Sequence, residues 1–129
     1  MKKTVLVTGG AKGIGKQISK DFARLGYNVC INYNSSENDA IKLKDELASL
    51  GYSVLIYKAD ISKKDEVEKM VDKVIETFGN IEVLVNNAGI CNYNLFTDIS
   101  YNDMKNVYLK LNKIKTRMQF ALVFFCVKN

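Results

Sequence analysis

The residues best suited to chemistry form one run, Thr8-Gly9-Gly10-Ala11-Lys12-Gly13-Ile14-Gly15. Its glycines let the backbone turn sharply and bring N–H groups close to a ligand. The run follows an apolar, β-branched stretch from Lys3 to Thr8 and precedes Ile14, Ile18, Phe22 and Leu25 at helical spacing. A glycine turn between a strand and a helix attracts phosphate, because the first N–H groups of a helix are unpaired and its dipole favours negative charge there. A glycine cluster without that setting is an ordinary turn that binds nothing. Between strand and helix, phosphate binding is the better interpretation.

Two rival phosphate motifs fail on single residues. Gly10-x-x-x-x-Gly15-Lys16 matches most of a P-loop, but Gln17 stands where a serine or threonine must ligate magnesium. The G-x-G-x-x-G form also fails, since no third glycine follows Gly15 at the right spacing. The chain has no histidine, which excludes Ser-His-Asp and Cys-His catalysis and the common zinc sites. Cys30, Cys91 and Cys126 are odd in number and lack metal-type spacing, so they are expected to be small hydrophobes in a reducing compartment. No metal site is expected.

The elements that must position the glycine turn alternate along the chain. Strands are predicted at Lys3 to Thr8, Asn28 to Tyr33, Ser53 to Lys58 and Ile81 to Val85. A helix runs from the glycine turn to Leu25, a second from a Ser36 cap to Leu50, and a third from about Lys63 to Phe78; each is followed by a glycine. This alternation predicts an α/β fold, a doubly wound parallel sheet with strands in the order 3-2-1-4 and helices on both faces. Beyond the fourth strand, Ser100 and Asp103 form a possible capping box. They would open a helix with apolar positions at Val107, Leu111, Ile114, Met118 and Ala121 or Leu122. Phe120 to Val127 could instead form a fifth strand; the helix is preferred.

A second signature stands at the end of the fourth strand, Asn86-Asn87-Ala88-Gly89. Together with Thr8-Gly9-x-x-x-Gly13-Ile14-Gly15, it resembles the short-chain dehydrogenase/reductase family over residues 1 to about 103. Asp60-Ile61, after the third strand, falls where that family contacts the adenine. The stretch Ile31 to Glu37 is similar in style to 3-oxoacyl-acyl-carrier-protein reductases. The resemblance implies a Rossmann-like dinucleotide-binding domain over 1–103, followed by a basic and apolar tail over 104–129. Gly9, Gly10, Ala11, Lys12, Gly13, Ile14 and Gly15 would line the pyrophosphate and adenosine ribose. Asn87, Ala88 and Gly89 would lie along the ribose on the nicotinamide side.

Sites specific for NAD place a carboxylate after the second strand, on the ribose 2′-hydroxyl. Here that place holds Asn32, Tyr33 and Asn34, with no acid until Glu37. Lys12 can meet a 2′-phosphate as a point charge and Ser35 can donate a hydrogen bond. NADP is therefore expected over NAD, although Lys12 alone would pass for a solvated lysine.

The family's chemistry, reduction of a carbonyl such as a 3-oxoacyl thioester, implies a serine and a Tyr-x-x-x-Lys pair. Tyr101 and Lys105 have that spacing, but Tyr101 sits only about a dozen residues after the Asn-Asn-Ala-Gly run, and chance alone supplies about one such spacing in this chain. No catalytic residue is assigned. The pattern departs from the family at about Val107, where an expected asparagine meets Leu111 and Asn112 is one residue off register. After Met104 there are six basic residues and no acidic ones in a chain of net charge +5. These features suggest a changed reading frame and a truncated, inactive form; the alternatives are a genuine short variant and a dinucleotide-binding or regulatory remnant.

Nucleic acid is not an expected partner, since the basic run is read as a solvated helix face. Nor is a membrane, because the longest apolar run, Phe120 to Val127, is too short to span one. A cytoplasmic location is expected. The family is usually homo-oligomeric, which is in doubt for this chain. Without a fifth strand, Ile81 to Val85 would be an exposed sheet edge prone to association.

Overall fold

The computed structural model describes residues 2–87 and 120–123. In chain order the elements are β1 (Thr4–Thr8), α1 (Gly13–Arg24), β2 (Asn28–Tyr33), α2 (Glu37–Ser49), β3 (Val54–Lys58), α3 (Lys64–Phe78), β4 (Val83–Asn86) and β5 (Phe120–Val123). The strands form one parallel sheet in the order β3-β2-β1-β4-β5. The expected order 3-2-1-4 stands within it.

Successive side chains on a strand face opposite sides of a sheet, so a continuous apolar run feeds two cores. β1 sends Val5 and Val7 to one core and Leu6 to the other, and β2 divides Val29 and Ile31 from Cys30 in the same way. The first core is closed by Ala23 of α1 and by Ala40, Leu43 and Leu47 of α2. The second is closed by Met70, Val71 and Val74 of α3, with Leu84 of β4. Each valine, leucine, isoleucine or methionine among them, fully buried, contributes about 1.5–3 kcal/mol. Burial pushes the Cys30 thiol up to about 12, so it is a neutral hydrophobe at any ordinary pH.

Ser36 does precede α2, but its hydroxyl makes no capping bond; its carbonyl accepts from Ala40 N–H at 3.0 Å. Glu37 and Asp39 supply negative charge to that first turn instead.

The tail corrects one expectation. Phe120–Val123 is a strand, not the end of a helix, and it pairs with β4 from Val83↔Phe120 to Asn86↔Val123. Four consecutive apolar residues suit a parallel strand as well as a helix end, and β4 offers backbone groups that need partners. β4 is therefore internal, and the exposed edge expected at Ile81 to Val85 does not exist. The rest of the expected helix, with Ser100, Asp103, Val107, Leu111, Ile114 and Met118, lies outside the described residues, as do Cys91 and Cys126. Among the described residues, no helix is long and apolar enough to cross a membrane.

The chain leaves β1 for β2 on one side of the sheet and reaches β4 on the other side of β1. That reversal opens a crevice at the carboxyl ends of β1 and β4, the place where open α/β sheets bind ligands. The glycine turn lies there.

Candidate functional site: a glycine turn at the reversal of the sheet

Gly9 and Gly13 adopt φ of 59° and 53°, left-handed values that cost a side-chain-bearing residue about 1–2 kcal/mol. They fold the chain from β1 back into α1. Gly15 answers a different need. A Cβ at that position would collide with the Gly9 carbonyl oxygen and with Nδ2 of Asn87. Glycine here lets the first turn of α1 lie against the loop that precedes it.

Three polar side chains hold the turn. Asn32, buried at the end of β2, accepts from Gly9 N–H through Oδ1 at 3.2 Å, and its carbonyl accepts from Gly10 N–H at 3.0 Å. Asn87 donates through Nδ2 to Gly9 O at 3.0 Å and Thr8 O at 3.3 Å. Ser19, fully buried on α1, donates through Oγ toward Gly10 O at 3.1 Å and Gly15 O at 2.9 Å. The N–H groups of Gly9 and Gly10 are thus directed at Asn32. Those of Gly13, Ile14 and Gly15 precede the first intrahelical bond, which Lys16 N–H donates to Lys12 O at 3.1 Å. Helix geometry leaves these N–H groups aimed out of the N-terminus, where an anion is favoured.

Asn32 also reaches the third strand. Its Nδ2 donates to Ala59 O at 3.1 Å, and Ala59 N–H donates to Tyr33 O at 2.9 Å. Asp60, next in sequence, is thereby tied to the glycine turn through one side chain. Its carboxylate accepts from Ser62 Oγ at 2.6 Å and Ser62 N–H at 3.0 Å, and these bonds hold its pKa below the usual carboxylate range. Its own N–H donates to Glu66 Oε2 at 2.5 Å. Ile61 borders a cleft of about 30 Å³ between β1, β4 and α3, lined also by Leu6, Thr8, Leu84 and Asn86.

Lys12 and Asp39 form an ion pair at 3.3 Å, which places Lys12 over the first turn of α2. Ser35 is exposed in the bend just before that helix. The structure therefore brings Gly9 to Gly15, Asn87 and the Asp60 segment together, with Lys12 paired to the first turn of α2. Ala88 and Gly89 lie outside the described residues. Asn32, Ser19 and Asp39 were not singled out from sequence as parts of the site. Asn32 left one signal, an amide that interrupts the apolar residues near the end of β2.

The sequence profile of the short chain dehydrogenase family matches residues 3–118. The chain belongs to that family. The match runs past residue 103, where the sequence resemblance was expected to end, and past Val107. Among short-chain dehydrogenase relatives, the chain is 36% identical over 126 residues to a 3-oxoacyl-acyl-carrier-protein reductase of Staphylococcus epidermidis, covering 92% of this chain and 52% of the relative. It is 39% identical over 111 residues to an L-rhamnose 1-dehydrogenase (NAD(P)(+)) of Azotobacter vinelandii, covering 84% and 42%. A crystal structure of a metagenomic short-chain oxidoreductase in complex with NADP superposes with a TM-score of 0.63 at 28% identity, over 68% of this chain and 39% of that one. The chain spans about half the length of the curated relatives it matches.

Proposed function

We propose that the chain is the cofactor-holding part of an NADP-dependent oxidoreductase that reduces a carbonyl, with a 3-oxoacyl thioester as the substrate class. One observation carries this: the glycine turn is locked by Asn32, Asn87 and Ser19, leaving the N–H groups of Gly13, Ile14 and Gly15 for a pyrophosphate. The relative named as a 3-oxoacyl-acyl-carrier-protein reductase supports the substrate class, and the neighbour in complex with NADP supports the cofactor. The residues fit such a ligand, since the space that a Cβ at Gly13 would enter is open while the turn behind it is filled.

A bound nicotinamide dinucleotide supplies the hydride. Around it, Gly9 and Gly10 shape the turn, with Ala11 beside them. Lys12 and Ser35 meet the 2′-phosphate. Asp60 and Ile61 would flank the adenine, and Asn87, with Ala88 and Gly89 next in sequence, would line the nicotinamide-side ribose. Residues 1–103 would form the dinucleotide-binding domain and 104–129 a tail.

Two expected results follow from this assignment. Tyr101 and Lys105 lie outside the setting that a proton donor needs, so these 129 residues alone should hold the cofactor without turnover. Acetoacetyl thioesters should elicit no NADPH oxidation above the buffer rate; turnover lost in Tyr101→Phe would restore that tyrosine as the donor. Binding should favour NADPH over NADH, and Lys12→Glu should erase the preference by about 1–3 kcal/mol, the size of a charge-assisted contact. Nicotinamide fluorescence titration reads both affinities. Equal affinities in the parent protein would contradict the roles of Lys12 and Ser35.

A further inference from the structure

Resting on the assignment of Lys12 to a 2′-phosphate, we propose that Asp39 sets the strength of the NADPH preference by pairing with Lys12. The Lys12 ammonium lies 3.3 Å from the Asp39 carboxylate, with the two side chains 64% and 44% exposed. Asp39 stands in the first turn of α2, one turn past the bend that carries Ser35. A 2′-phosphate approaching that bend carries a charge between −1.5 and −2 at neutral pH, as phosphate monoesters do (second pKa about 6). It must draw Lys12 away from Asp39 or share it, and it meets the carboxylate's repulsion in either case.

A cofactor with a bare 2′-hydroxyl meets neither penalty, so Asp39 narrows the gap between the two. The ion pair is largely exposed and worth little by itself, so the effect is graded. Glu37 supplies an internal control. It lies in the same helical turn with the same charge, but its field acts on the Tyr33 hydroxyl, whose pKa burial and Glu37 together raise. Lys12 is paired with Asp39.

Asp39→Asn in the 129-residue chain should tighten NADPH binding by roughly two- to fivefold and leave NADH unchanged, the range that an exposed ion pair spans. Raising the salt from 50 to 500 mM should shrink the gain, and Glu37→Gln should give a smaller one. Titration by nicotinamide fluorescence, with thermal melting to confirm that both variants fold, reads all of these. A parent that prefers NADPH, with unchanged or weakened NADPH binding in Asp39→Asn, overturns the role of Asp39 alone. An equal gain from Glu37→Gln overturns the ion pair as the cause. A parent without any preference overturns the NADP assignment, and the role of Asp39 with it.

Discussion

Gly15→Ala should be the most damaging single-methyl change in the site, lowering stability by about 2–3 kcal/mol and abolishing dinucleotide binding. Alanine is normally the better helix residue, by about 1 kcal/mol. Here the added Cβ meets the Gly9 carbonyl and the Asn87 amide. Neither can retreat, because Gly9 is held by Asn32 on one side and Asn87 on the other. The clash therefore wins over the propensity gain. Gly13→Ala separates sterics from backbone strain: a Cβ there meets nothing within 4 Å, and only the left-handed φ of 53° opposes it. It should cost about 1–2 kcal/mol. Urea unfolding of the two variants checks the ranking, and a Gly15→Ala protein as stable as its parent would refute the close approach.

Asn32→Leu should have the second largest effect, a loss of about 2–4 kcal/mol together with weaker NADPH binding. Leucine matches the volume but removes the acceptor for Gly9 N–H, in a part-buried setting, and the donor for Ala59 O, in a buried one. Each unsatisfied buried group costs about 1–3 kcal/mol, which outweighs the hydrophobic gain of one leucine. Loss of binding should exceed what unfolding explains, since the glycine turn loses one of its anchors. Thermal melting and cofactor titration on the same samples distinguish the two. A variant that melts like the parent and binds NADPH normally would mean that Asn32 does not hold the turn.

The first four strands and three helices were legible because their signals are local. β2 carries the apolar run Val29-Cys30-Ile31 between Asn28 and Asn32, and α3 repeats Val67, Met70, Val71 and Val74 on one side before Gly79 stops it. The fourth strand was placed from Ile81 but begins at Val83; Ile81 is buried all the same, so its apolarity was informative and its pairing was not. β5 was not legible, because Phe120 to Val123 suits either a helix end or a strand, and the choice depends on an edge supplied 37 residues away in sequence.

The site divides in the same manner. The glycines announce themselves by spacing. Asn32, Ser19 and Asp39 act through contacts between elements, and no local pattern marks those. Even Gly15 was read as one glycine of a motif, whereas its particular demand comes from the Gly9 carbonyl and from Asn87, 72 positions later.

The central claim is that the turn between β1 and α1 holds a dinucleotide, and amide NMR of the 15N-labelled chain titrated with NADPH tests it most directly. Saturable shifts should centre on Ala11, Lys12, Gly13, Ile14 and Gly15, with a second group at Asp60 and Ile61. The amides of Gly9 and Gly10, bonded to Asn32, should move less. No saturable shifts, or shifts confined to residues away from the carboxyl ends of β1 and β4, would contradict the account.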